Sequence, residues 1–62
     1  MEVLCQSTTL YVDEPPKLGD NFWATSNSGL YGLWKILSIH DDNMFTANYI
    51  SNPEINETFY WK

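Results

Sequence analysis

Apolar and polar residues alternate along much of this chain with a period of two, and short polar turns interrupt the alternation. The clearest case is residues 44–50. Phe45, Ala47 and Tyr49 fall on one side and Thr46 and Asn48 on the other. Successive side chains of a strand point to opposite faces, so this pattern predicts a half-buried strand. Residues 30–39 give the longest strand prediction. Their even positions are Leu30, Gly32, Trp34, Ile36 and Ser38, and their odd positions are Tyr31, Leu33, Lys35, Leu37 and Ile39. Neither set is polar throughout, which predicts burial from both sides over part of the length. A helix is the rival reading of so apolar a segment. Gly32, the β-branched Ile36 and Ile39 and the flanking turn residues favour a strand.

The turns carry their own chemistry. Ser26-Asn27-Ser28-Gly29 is the clearest, because Asn and Gly tolerate positive φ. His40-Asp41-Asp42-Asn43 is a second and Ser51-Asn52-Pro53-Glu54 a third. Upstream, residues 3–12 lack Gly and Pro and read as one strand bent near residues 7–9. Asp13-Glu14-Pro15-Pro16 ends it, since two prolines remove two backbone donors. A short turn at 17–20 leads into a strand at 21–25, and residues 58–61 form a last one. Five short strands with short connections predict an all-β, antiparallel barrel in a single domain over residues 1–62. Its core is expected to hold Phe22, Ile36, Leu37, Phe45 and Tyr49.

Size and aromatic content change this picture. A chain of 62 residues buries only roughly 60% of its unfolded surface, so its stability is marginal. The single Cys, Cys5, allows no internal disulfide, and no Cys and His set suits zinc. Cys5 is expected as a buried structural thiol. Stability must come from packing, from a partner or from a second copy, so a homodimer is left open. Three Trp, four Tyr and three Phe are more rings than so small a core holds. Trp23, Tyr31 and one of Trp34 or Trp61 are therefore expected at the surface, where grouped aromatics mark interaction sites.

Charge narrows the function classes. Eight acidic residues face three lysines, a net charge of −5. Nucleic-acid binding draws its affinity from Lys and Arg on phosphates, so direct nucleic-acid binding is not expected. An anionic membrane surface is disfavoured for the same reason. The opening Met1-Glu2 and the polar Gln6, Ser7, Thr8 and Thr9 do not suit a secretory leader, which predicts a cytoplasmic setting.

Gly19-Asp20, Ala24, Gly29, Ile36, Ser38-Ile39, Asp41-Asp42 and Tyr49 together set a pattern of turn, strand, Gly turn, strand, polar turn and strand. Over residues 17–50 this resembles the SH3-like barrels of the Tudor and KOW type. The resemblance implies a five-stranded SH3-like barrel. It also implies an aromatic cage for a methylated ammonium group, with Trp23, Tyr31 and Tyr49 as walls. A Tyr-Gly-Asn stretch of that family reads Ile50-Ser51-Asn52 here, and Tyr31 stands one residue out of register.

No catalytic set accompanies these features. His40 lies beside Asp41 and Asp42, but no nucleophile is visible in sequence, so the cluster reads as a solvated turn. The chain is expected to act without enzymatic chemistry and without a cofactor or metal. The leading expectation is a module that binds a larger protein, as inhibitor or adaptor. Its contact residues are Trp23, Tyr31, Trp34, Tyr49, Trp61, Asp41 and Asp42. In size and acidity the chain looks like small phage-encoded inhibitors. An alternative follows from the acidic turns, which would gather at the barrel ends and mimic nucleic acid toward a basic protein.

Overall fold

The turn at residues 41–43 organises the sheet around it. Asp42 and Asn43 take φ of 62° and 56°, a left-handed conformation that Asp and Asn adopt at lower cost than most residues. They turn the chain back so that His40 faces Met44 and the two strands run antiparallel. In the computed structural model the backbone is described for residues 3–6 and 9–62 and the side chains from Thr9 onward. Among these residues the chain forms six strands and no helix. They are β1 (Val3–Gln6), β2 (Thr9–Val12), β3 (Asn21–Thr25), β4 (Tyr31–His40), β5 (Met44–Tyr49) and β6 (Asn56–Trp61).

All six belong to one sheet in the order β1-β2-β6-β5-β4-β3. The outermost strands, β1 and β3, come within 8 Å of each other between Cα atoms, so the sheet curls round on itself. The all-β expectation is met, with two differences in detail. Residues 3–12 are an antiparallel hairpin, Val3 facing Val12 and Gln6 facing Thr9, rather than one bent strand. Residues 7 and 8, where the bend was expected, lie outside the described residues, as does the side chain of Cys5. The second difference is that β2 runs parallel to β6, with Leu10 beside Trp61. The sheet is mixed, not purely antiparallel. Backbone bonds from Val12 to Lys62 and from Lys62 to Leu10 extend this pairing.

The β3–β4 hairpin turns at Ser26 to Gly29. Gly29 has φ 91°, and its N–H donates to the Ser26 carbonyl at 2.9 Å. Ser26 closes the loop by accepting from the Leu30 N–H on its hydroxyl at 3.2 Å. Further along β4 the pairing shifts between Ile36 and Ser38, leaving Leu37 as the extra residue of a β-bulge. This accounts for the mixed faces of residues 30–39. Before the bulge Gly32, Trp34 and Ile36 point inward, and after it Ile39 pairs with Phe45 at the sheet margin, where it stays 43% exposed. Leu37 was expected in the core and is instead 47% exposed.

The interior is built from Leu10, Phe22, Ala24, Trp34, Ile36, Phe45, Ala47 and Phe59. Phe59 is its hub. It meets Phe22 edge-on at 5.4 Å, Trp34 edge-on at 4.9 Å and Phe45 in a stack at 5.7 Å. Offset and edge-to-face rings of this kind add to the benefit of burial.

Candidate functional site

Two regions of the outer surface bring together residues that the sequence singled out. The first lies on the outer face of β3 and β4. Phe22 and Ala24 turn inward, so Trp23 between them must turn outward. Thr25 faces Tyr31 and Trp23 faces Leu33 across the ladder. Trp23 and Tyr31 are thus diagonal neighbours, within reach of two large rings. Their centroids lie 6.1 Å apart with planes 30° from parallel. They remain 60% and 64% exposed. Ile50 joins them at one side, since its N–H donates to the Leu33 carbonyl at 3.0 Å, and it is also exposed.

Other expected contact residues stand elsewhere. Trp34 is fully buried, at 0% exposure, and is removed from any binding surface. Its indole N–H donates to the Ala24 carbonyl at 3.0 Å, so the one polar atom of the side chain is satisfied inside. Tyr49 is half-buried and packs 4.6 Å from Trp34 on the inner face. Its hydroxyl donates to the Tyr31 carbonyl at 2.7 Å. Gly32 makes room for this ring, because a Cβ there would lie 2.8 Å from Tyr49 Cε1. Tyr49 is therefore separated by the sheet from the outward rings of Trp23 and Tyr31. The three do not enclose a common point, and the expected cage geometry is not formed.

The second region is one end of the barrel. β2, β4 and β6 finish there, and β5 begins there. Asp41 and Asp42 lie there in the turn after β4, and Asp13 follows Val12, whose N–H donates to the Lys62 carbonyl, whereas Asp20 stands further down, its carbonyl accepting from the Ile36 N–H at the level of Ala47 and Glu57. Glu57 is engaged by a hydrogen bond from the Ser28 hydroxyl. Asp41 and Asp42 are exposed, as expected of a turn. Beside them a shallow groove of about 460 Å³ is lined by Thr9, Asp42, Asn43, Tyr60, Trp61 and Lys62. Trp61 is half-buried, and its Nε1 is buried without a hydrogen-bond partner.

His40 lies on the outer face near this end. Its Nε2 is 2.8 Å from the Thr46 hydroxyl and 3.4 Å from that of Ser38. Both hydroxyls are its polar neighbours on an exposed surface. Among the described residues no three His, Cys, Asp or Glu side chains gather as metal ligands. Nor is any helix of the described residues long and apolar enough to cross a membrane.

The groove was not foreseen in the sequence. Its residues come from three separate stretches that only the parallel β2–β6 pairing and the β4–β5 turn bring together. Comparison of the chain with protein-family models, with curated proteins and with solved structures finds no match, so no residue role is carried over from a relative.

Proposed function

We propose that this chain is a non-enzymatic binding module that docks on a larger protein through the outer β3–β4 face, as a small inhibitor or adaptor. The observation that supports it is the stacked, exposed Trp23–Tyr31 pair. Two large rings held outward on adjacent strands need no rearrangement to bind, because the sheet already fixes them. Trp and Tyr dominate interface hot spots, where truncation costs about 2 kcal/mol or more. Leu33 and Ile50 extend the apolar area around them. The exposed Asp41–Asp42 turn supplies a charged rim.

The test uses Trp23→Thr and Tyr31→Thr, since Thr suits a strand and removes only the ring. A protein captured by the native chain should be lost from both variants while Tm stays within a few degrees. Retention of that protein by both variants would sink the reading.

A second reading is nucleic-acid mimicry toward a basic protein, favoured by the net charge of −5 and the exposed Asp41–Asp42 turn. The two readings separate by kinetics. Charge steering makes association fall steeply with salt, whereas an aromatic anchor acts mainly on dissociation. Rates measured at low and high salt decide between them.

A further inference from the structure

Ahead of the bulge, the outward residues are Asn21, Trp23 and Thr25 on β3 and Tyr31, Leu33 and Lys35 on β4. The ladder sorts them into three rows. Thr25 lies beside Tyr31, Trp23 beside Leu33, and Asn21 beside Lys35. Ile50 extends the middle row through its bond to the Leu33 carbonyl. That row is apolar throughout. Each flanking row sets one small polar residue beside one long side chain, a ring at Tyr31 and a cation at Lys35. Lys35 is the only charge among the six, and Asn48, its neighbour on the β5 side, is also uncharged. None of the chain's eight acidic residues occupies one of these positions. A chain of net charge −5 thus keeps its acids off this face.

We propose that this face pairs with the same face of a second copy of the chain, in a weak and reversible twofold dimer. The pairing rests on the reading of the β3–β4 face as a docking surface and names an occupant that the chain itself supplies. In a twofold interface residue i meets j while j meets i. Tyr31 and Lys35 stand two residues either side of Leu33, about 6.6 Å from it along the strand. An axis along the Trp23–Leu33–Ile50 row, between two stacked sheets, reverses the strand direction from one copy to the other. It lays the apolar row on its own counterpart, Tyr31 over Lys35 of the second copy, and Thr25 over Asn21. Each contact is complementary. The apolar row leaves water, the tyrosine ring attracts the ammonium twice per dimer, and hydroxyl meets amide. A basic partner would meet Lys35 and no carboxylate here, and an acidic one would find a single cation. The second copy matches all three rows. The area sets the strength. Rings that bury about 150–250 Å² when enclosed contribute on the order of 100–150 Å² each at the exposure of Trp23 and Tyr31. The six-residue face therefore falls short of the roughly 800 Å² per partner of a standard interface. A larger protein that covers more surface would displace the second copy.

The test is sedimentation equilibrium of the whole chain from about 10 µM to about 1 mM, a range that brackets weak association. The average mass should rise from one chain toward two. Trp23→Thr removes a ring at the axis from both copies and should weaken pairing by at least about tenfold. Lys35→Glu sets a carboxylate over the ring face in two places and should weaken it by about tenfold, whereas Lys35→Arg should preserve it. Tyr60→Thr, exposed on β6, should leave it unchanged. Thermal melts of the dilute variants should match the native chain within a few degrees, so that lost pairing is not lost folding. A single-chain mass at every concentration would overturn the proposal, and so would a dimer indifferent to Trp23→Thr. A dimer weakened by Trp23→Thr but not by Lys35→Glu would overturn the twofold register and the proposal with it. Capture of a larger protein through Trp23 and Tyr31 by a chain that never pairs would sink the pairing alone. Pairing in a chain that captures nothing would support the dimer and count against docking on a larger protein.

Discussion

The two faces of the β3–β4 hairpin carry one tryptophan each, and the two rings have opposite fates. Trp34 points inward and is fully enclosed, while Trp23, on the neighbouring strand, is 60% exposed. The inner face has a reason to accept a ring. Ala24, Gly32 and Ala47 are small, and they open the space that Trp34 and Tyr49 fill. The Ala24 carbonyl also accepts the Trp34 indole N–H. On the outer face Trp23 meets Leu33 and Tyr31, and nothing described covers them. A ring is therefore core or contact according to the face and the size of its neighbours, not according to its type. Counting rings against a core of fixed capacity led to Trp34 being expected as a surface candidate. The count left out the small residues that enlarge that capacity.

The sharpest way to test this contrast is to remove each ring. Trp34→Ala should cost about 3–5 kcal/mol. Total stability for a domain of this length is on the order of 3–9 kcal/mol, so the variant should be largely unfolded at room temperature. Trp23→Thr should cost under about 1 kcal/mol, because an exposed side chain loses little burial. Denaturant melts of the two variants measure both values. Similar losses in the two would show that the faces are not as different as drawn.

A smaller effect tests the space-making role of Gly32. Its missing Cβ would lie 2.8 Å from the Tyr49 ring, and that ring is tethered by its hydroxyl to the Tyr31 carbonyl. Gly32→Ala should therefore cost about 1–3 kcal/mol through overpacking, against the gain Ala normally brings to a strand. The double variant Gly32→Ala with Tyr49→Leu should recover part of the loss, since the leucine lacks the tethered ring. No recovery would place the strain somewhere other than this contact.

How much of this was legible follows from where each signal lies. The turns predicted at 26–29 and 40–43 and the alternation predicted at 44–50 are local, and each is found within one residue of its expected bounds. The exposure of Trp23 was equally local, since Phe22 and Ala24 bracket it. The β1–β2 hairpin was missed because neither Gly, Pro nor Asn marks residues 7 and 8. The parallel pairing of β2 with β6 joins residues about fifty positions apart, and no short-range pattern encodes it. The groove depends on that pairing and was invisible for the same reason. The bulge at Leu37 has no glycine to announce it, so alternation carried past it placed Leu37 in the wrong environment.

That bulge supplies the prediction with the smallest expected effect. Ile36 is 1% exposed and Leu37, its neighbour, is 47% exposed. If the pairing shift sets Leu37 outward, Leu37→Lys leaves the interior untouched. The ammonium would reach water, and the change should fall within about 0.5 kcal/mol, as for most surface substitutions. Ile36→Ala, one residue away, should cost about 2–5 kcal/mol because it opens a cavity beside Phe45 and Ala47. Simple alternation predicts a different result. A strand running unbroken through residue 39 would keep Trp34, Ile36 and Ser38 on one face and put Ile39 opposite them, outside the core. The ladder instead sets Ile39 opposite the buried Phe45. Ile39 is itself 43% exposed there, so Ile39→Lys, like Leu37→Lys, should cost little, and only Ile36→Ala should cost much. A loss at Leu37→Lys as large as that at Ile36→Ala would place Leu37 in the core and remove the bulge.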